Sequence, residues 1–154
     1  MSKLHKKLIF LLFILSCFLS SVLNAAEIKP KLDATLSNTY VWNANEIKTK
    51  LGSKLENIWV FDGRELRPKS KAILKNTYIW DGRELKPKLG ATLSNTYIWN
   101  GKELKPKSGA TSSNIWSFDG KEWKPKSGAT SRNTWVVNGS IPVPVCALVV
   151  LGII

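Results

Sequence analysis

Ten cations recur as pairs two residues apart: Lys48 and Lys50, Arg67 and Lys69, Lys86 and Lys88, Lys105 and Lys107, Lys124 and Lys126. Each pair follows the last at an interval of 19 residues, so units that fold alike would carry these charges in one register on one surface. Such a row could grip a polyanion by charge. It is also what a solvated sheet face needs to stay soluble and to discourage edge pairing. Glu46, Glu65, Glu84, Glu103 and Glu122 keep the same interval beside the cations. One carboxylate per unit next to a cation reads as a screened charge ladder, not as the paired carboxylates of general acid–base catalysis.

Other chemistry is sparse. The only histidine, His5, and one of the two cysteines, Cys17, fall in an N-terminal leader. The rest of the chain therefore offers no Ser/His or Cys/His nucleophile pair, and Cys146 within Val-Cys-Ala-Leu-Val reads as an apolar core thiol. It also leaves no partner for a disulfide, so the fold must hold by packing. Zinc-ligand spacing is lacking, and Asp62, Asp81 and Asp119 precede glycines as turn residues do, not as calcium ligands do. The sequence predicts no enzyme, no metal and no cofactor.

The leader itself has a secretory layout: Lys3, Lys6 and Lys7, the apolar run Leu8–Leu23, then Ala25-Ala26. A signal helix over 1–26, cleaved after Ala26, is the expectation, with an uncleaved anchor or a lipoprotein using Cys17 as alternatives. Removal of the leader lowers the net charge from +12 to +9, with 20 basic side chains against 11 acidic ones. An exported chain of that charge is drawn to anionic partners in the periplasm, the envelope or the exterior.

The charges are carried by a repeat. Asn38, Asn57, Asn76, Asn95, Asn114 and Asn133 are spaced 19 residues apart without insertion. Counted from each Asn as position zero, large rings stand at position two (Tyr40, Trp59, Tyr78, Tyr97, Trp116, Trp135) and mostly at position four (Trp42, Phe61, Trp80, Trp99, Phe118, with Val137 last). The alternation with Thr, Ile and Val predicts a strand. Asp62-Gly63, Asp81-Gly82, Asn100-Gly101, Asp119-Gly120 and Asn138-Gly139 then predict a type I′ hairpin turn centred on the dipeptide, with position four opposite seven and two opposite nine. Asn43-Ala44 departs, and a looser or different turn is expected there. The second strand, as in Lys102–Lys107, should end its pairing at the proline of position eleven. One face then collects the rings, Leu66, Leu85, Leu104 and the prolines, and the other collects Glu and Lys, so the rings read as core and not as a stacking platform for ligands.

A lone hairpin is marginal in water, so the units must bury one another. Residues 27–31 are a second strand without its first, a displaced half unit of the kind that closes a ring. The predicted fold is all-β: a single domain, 27–154, of six 19-residue hairpins arranged radially in a small closed, propeller-like toroid. An open hairpin stack is the alternative. The last unit replaces its charges with Ile141, Val143 and Val145 and runs on uncharged to Ile154. This apolar segment, 141–154, reads as a buried terminal strand through the centre or across the end of the array, with membrane docking or subunit pairing as the functional alternative.

The unit seen whole at Asn95–Thr111 resembles the hairpin repeats of small bacterial proteins described as β-flowers, which join an aromatic strand to a short second strand through Asn-Gly or Asp-Gly. The unit length and the Lys-Pro-Lys ending differ. The resemblance implies a radial fold and no activity. Choline-binding wall repeats are a weaker likeness, since the Gly-Trp pair that shapes their ligand cage is missing. Together these readings predict an exported, non-catalytic structural or binding module. Its ten cations would meet anionic envelope polysaccharide or lipid headgroups, not intracellular nucleic acid. Self-association or membrane contact through the apolar C-terminus is the alternative.

Overall fold

A computed structural model describes residues 25–154; residues 1–24 of the expected leader, with His5 and Cys17, lie outside the described residues. Twelve short strands alternate along the chain: β1 (Ala26–Pro30), β2 (Tyr40–Asn43), β3 (Glu46–Thr49), β4 (Trp59–Phe61), β5 (Glu65–Pro68), β6 (Tyr78–Trp80), β7 (Glu84–Pro87), β8 (Tyr97–Trp99), β9 (Glu103–Pro106), β10 (Trp116–Phe118), β11 (Glu122–Pro125) and β12 (Trp135–Asn138). Each pairs antiparallel with its neighbours, and β1 joins β12 to close the sheet into one barrel. Five hairpins are covalent. The sixth is assembled from the two ends of the barrel, with Glu27 opposite Asn138 and Pro30 opposite Trp135. The half unit thus closes the ring, as its offset predicts, and the array is not an open stack.

The hairpin register differs from the sequence reading. Phe61 faces Leu66 and Trp59 faces Pro68, so position four pairs with nine and two with eleven. The turn centre lies one residue further on, at Gly63-Arg64, and only the glycine has positive φ (97°). That is the pattern of a II′-type turn, which needs glycine at its first centre, and not of type I′. The aspartate is instead the turn's brace: Asp62 Oδ1 accepts the N–H groups of Arg64 (3.0 Å) and Glu65 (2.8 Å). In the first hairpin Ala44 stands in the glycine's place at φ 55°, and Asn43 still pairs with Glu46. Because the register slips by two residues and not by one, every side chain keeps its predicted face.

Proline at position eleven does not end the pairing. In every hairpin the following lysine donates its N–H one step beyond, as Lys69 does to Ile58 O and Lys107 to Thr96 O, both at 2.7 Å. The missing proline N–H faces the next hairpin, where the ladder has already stopped at position two.

The inner face fills the barrel. Position nine supplies Ile28, Ile47, Leu66, Leu85, Leu104 and Trp123, each at most 1% exposed. The rings at positions two and four pack against them, Trp59 buried and the others half-buried, in contacts such as Phe118 stacked on Trp123 at 4.8 Å. On the axis lies the C-terminal segment, and it is a helix, α1 (Val143–Val150), not the expected strand. The segment is buried as its lack of charge predicts, every residue from Pro144 to Val150 included. The helical form follows from position. A strand on the axis would have no neighbour for its backbone groups, whereas a helix satisfies its own. Pro142 and Pro144 start the helix at no hydrogen-bond cost, and Gly152 (φ 66°) ends it with Gly152 N–H to Val149 O and Ile153 N–H to Leu148 O, a Schellman cap.

Candidate polyanion-binding belt

The outward face of the second strands carries Glu at position eight, a cation at ten and Lys at twelve. Alternation along the strand puts all three outside while Leu and Pro point in. Across hairpins, each position-twelve lysine meets the glutamate of the preceding unit by reaching over the first strand between them. The pairs are Lys50–Glu27 (2.5 Å), Lys69–Glu46 (2.6 Å), Lys88–Glu65 (2.6 Å), Lys107–Glu84 (2.7 Å) and Lys126–Glu103 (2.9 Å). Lys31–Glu122 (2.9 Å) completes the circle across the join between β1 and β12. Six ion pairs therefore run round the barrel, one per hairpin. Each lysine remains roughly two-fifths exposed, so one such pair contributes about 0–1 kcal/mol.

The ten predicted site residues thus divide. Lys50, Lys69, Lys88, Lys107 and Lys126 are held by glutamates. Lys124 lies 3.1 Å from Asp119, and Lys86 has a long 3.8 Å approach to Glu84. Lys48, Arg67 and Lys105 form no ion pair among the described residues and project from the same belt. Two further cations, Lys29 and Lys31, occupy positions ten and twelve of the half unit and belong to it equally. Their signal, Lys29-Pro30-Lys31, matches the Lys-Pro-Lys of later units and could have been read from phase alone. With them the belt has twelve cations against six glutamates, a surplus that survives internal pairing.

Sequence reasoning also missed what the repeated Asn and Thr do. Asn95 Oδ1 accepts Thr92 N–H (2.6 Å) while its Nδ2 donates to Gly90 O (3.1 Å), and Asn38, Asn76, Asn114 and Asn133 repeat this clamp on their own links. The next residue is a buried threonine in four units, and Thr96 Oγ1 donates to Thr92 O (2.7 Å). These residues shape the connection between hairpins. They hold the belt in register and are engaged in structure, not offered to a ligand.

Asp119 is held down to about 2, above all by the Glu122 N–H; desolvation opposes this, and Lys124 and the Lys121 N–H add to the lowering. Asp62 and Asp81 are lowered for the same backbone reason. Burial pushes the Cys146 thiol up to about 12. The Trp123 indole N–H turns toward that sulfur and offsets burial slightly, yet it does not reach full hydrogen-bond geometry and has no partner among the described residues. A thiol so placed is a core group, as expected. Among the described residues no three His, Cys, Asp or Glu side chains cluster as a metal site would need, and no helix is long and apolar enough to cross a membrane. The chain matches no protein-family model, no curated protein and no solved structure.

Proposed function

We propose that the protein is an exported, non-catalytic module of the cell envelope or exterior that holds anionic polymers against its basic belt. The observation carrying this reading is the sixfold row of cations on one outer surface, twelve against six glutamates, on a barrel whose interior is filled. A flexible anionic chain laid round the wall would meet a cation at every hairpin, and multivalency would make many weak contacts add up. The glutamates set the position-twelve lysines, which leaves the position-ten side chains as the readier partners. The export component rests on the leader's layout. Self-association or membrane contact through the C-terminus has less support, because the apolar residues it would need are packed inside the barrel.

Binding to an acidic polysaccharide and to DNA, titrated at low and high salt, tests the reading. Affinity should fall steeply with salt, and K48Q/R67Q/K105Q should weaken it and flatten the salt slope by about two to three contacts. Salt-insensitive binding, or binding untouched by the triple variant, would count against the belt.

A further inference from the structure

The two ends of the barrel differ. One carries the hairpin turns and the other carries the links between units, and the links are where the exposed large apolar side chains lie. Leu32, Leu51 and Leu89 occupy position thirteen and are 44–61% exposed. At position seventeen Leu36, Leu55, Leu74 and Leu93 are 54–62% exposed. Round the ring these occupy seven of the eight such positions in four successive links, the eighth being Ser70. In the remaining two links the same positions hold Ser108, Ser112, Ser127 and Ser131.

The serines are an internal control. Leu51 N–H bonds Leu36 O at 3.0 Å, Ser108 N–H bonds Leu93 O at 3.0 Å, and Ser127 N–H bonds Ser112 O at 3.0 Å. The backbone connection between adjacent links is the same with either side chain, so the fold does not demand leucine there. Apolar tips in four consecutive links, 44–62% exposed, point to something that covers them.

We propose that this rim docks on an anionic lipid bilayer, with the leucines entering the boundary between headgroups and acyl chains. Charge selects that partner. Each leucine at position thirteen directly follows a lysine of the belt: Lys31, Lys50 or Lys88. Lys54 and Lys75 adjoin Leu55 and Leu74 on the same exposed links. A leucine tip beside a lysine head suits an acyl layer beneath anionic phosphates. Lys71 is engaged by Glu56 (3.1 Å), but a second copy would bring Lys54 and Lys75 against their own counterparts, and like charges oppose that pairing. The half-buried Ile153 and Ile154 emerge at this end, beside Tyr40 and Trp59, and extend the apolar surface inward. This inference shares Lys31, Lys50 and Lys88 with the belt, but the leucines that carry it stand at one end of the barrel and not on its wall.

The closed barrel and its core lie wholly within residues 25–154, so that fragment is the one to test, free of the apolar leader. Cosedimentation with vesicles of phosphatidylcholine containing one-third phosphatidylglycerol should show binding that L51S/L55S, a copy of the serine links, weakens about tenfold or more. S108L/S112L should strengthen it, and pure phosphatidylcholine should bind far less. K48Q/R67Q/K105Q, which alters the belt, should leave the leucine dependence in place. Far-ultraviolet circular dichroism and a thermal scan verify that each variant is folded. Equal vesicle binding by folded L51S/L55S would overturn the proposal. So would concentration-dependent dimerisation in sedimentation that L51S/L55S abolishes while vesicles are left unbound.

Discussion

Asp119 and Asn100 do the same work with different charge. Both brace the hairpin turn by accepting two backbone N–H groups, Asn100 from Lys102 (3.0 Å) and Glu103 (2.7 Å), Asp119 from Lys121 (3.0 Å) and Glu122 (2.7 Å). Only the aspartate titrates, and its carboxyl sits at about 2 against the ordinary 3.8. A depressed folded-state value contributes stability that is fully present above pH 3.8 and is lost as the pH falls through about 2. D119N should therefore flatten the acid limb of the stability curve between about pH 4 and 2, and it should leave the folded structure and the neutral-pH melt within about 1 kcal/mol of the parent. Chemical denaturation across that pH range measures it. An acid limb identical to the parent's would remove Asp119 from the account. The Asp-Gly and Asn-Gly dipeptides are legible as turns, but a type I′ turn centred on them would use the aspartate's backbone angle, whereas the structure uses its side chain. Dipeptide identity cannot tell those apart, because both uses favour the same residues.

Helix α1 is the element the sequence concealed. A helix buried on every side has no polar face and hence no 3.6-residue period to detect, while Val143, Val145, Val149 and Val150 individually favour strands. What remained legible was punctuation, with Pro142 and Pro144 at the start and Gly152 just past the end, and that asymmetry marks a helix more reliably than composition does here. The wall was far more readable than its filling. Strand faces, ring closure and the ring-bearing interior all follow from period-two alternation and the half unit. The axial helix, by contrast, arises from a tertiary requirement that no local pattern expresses. Ten of the belt's twelve cations are legible from the 19-residue spacing and the two of the half unit only from its phase, while the pairing is not legible at all. Lys69 meets Glu46, 23 residues back, because the bond crosses an intervening strand. Leu148, fully buried on the axis, tests the filling: L148A should cost about 2–5 kcal/mol. Thermal or denaturant unfolding would report it, and a loss below about 1 kcal/mol would mean the barrel stands without its axis.

At the scale of the whole molecule, the wall and the axis follow different rules. Six near-identical hairpins, a circle of six ion pairs and a rim with four apolar links out of six all derive from a repeat that can be copied indefinitely. The axial helix occurs once and has a fixed girth of about 10–12 Å with side chains. A barrel's width grows with its number of strands, so a seventh hairpin would draw the inner side chains back from a plug that cannot widen. Duplicating residues 95–113 should preserve every local signal and still give a looser protein, with a lower melting temperature and binding of an apolar dye that the parent excludes. A duplicated chain as stable as the parent would contradict this. Unequal crossing-over readily lengthens or shortens tandem repeats, and nothing in the 19-residue unit resists it. The helix supplies that resistance by acting as a counter, admitting the ring size whose interior it fills and leaving other copy numbers to be removed as poorly folded protein.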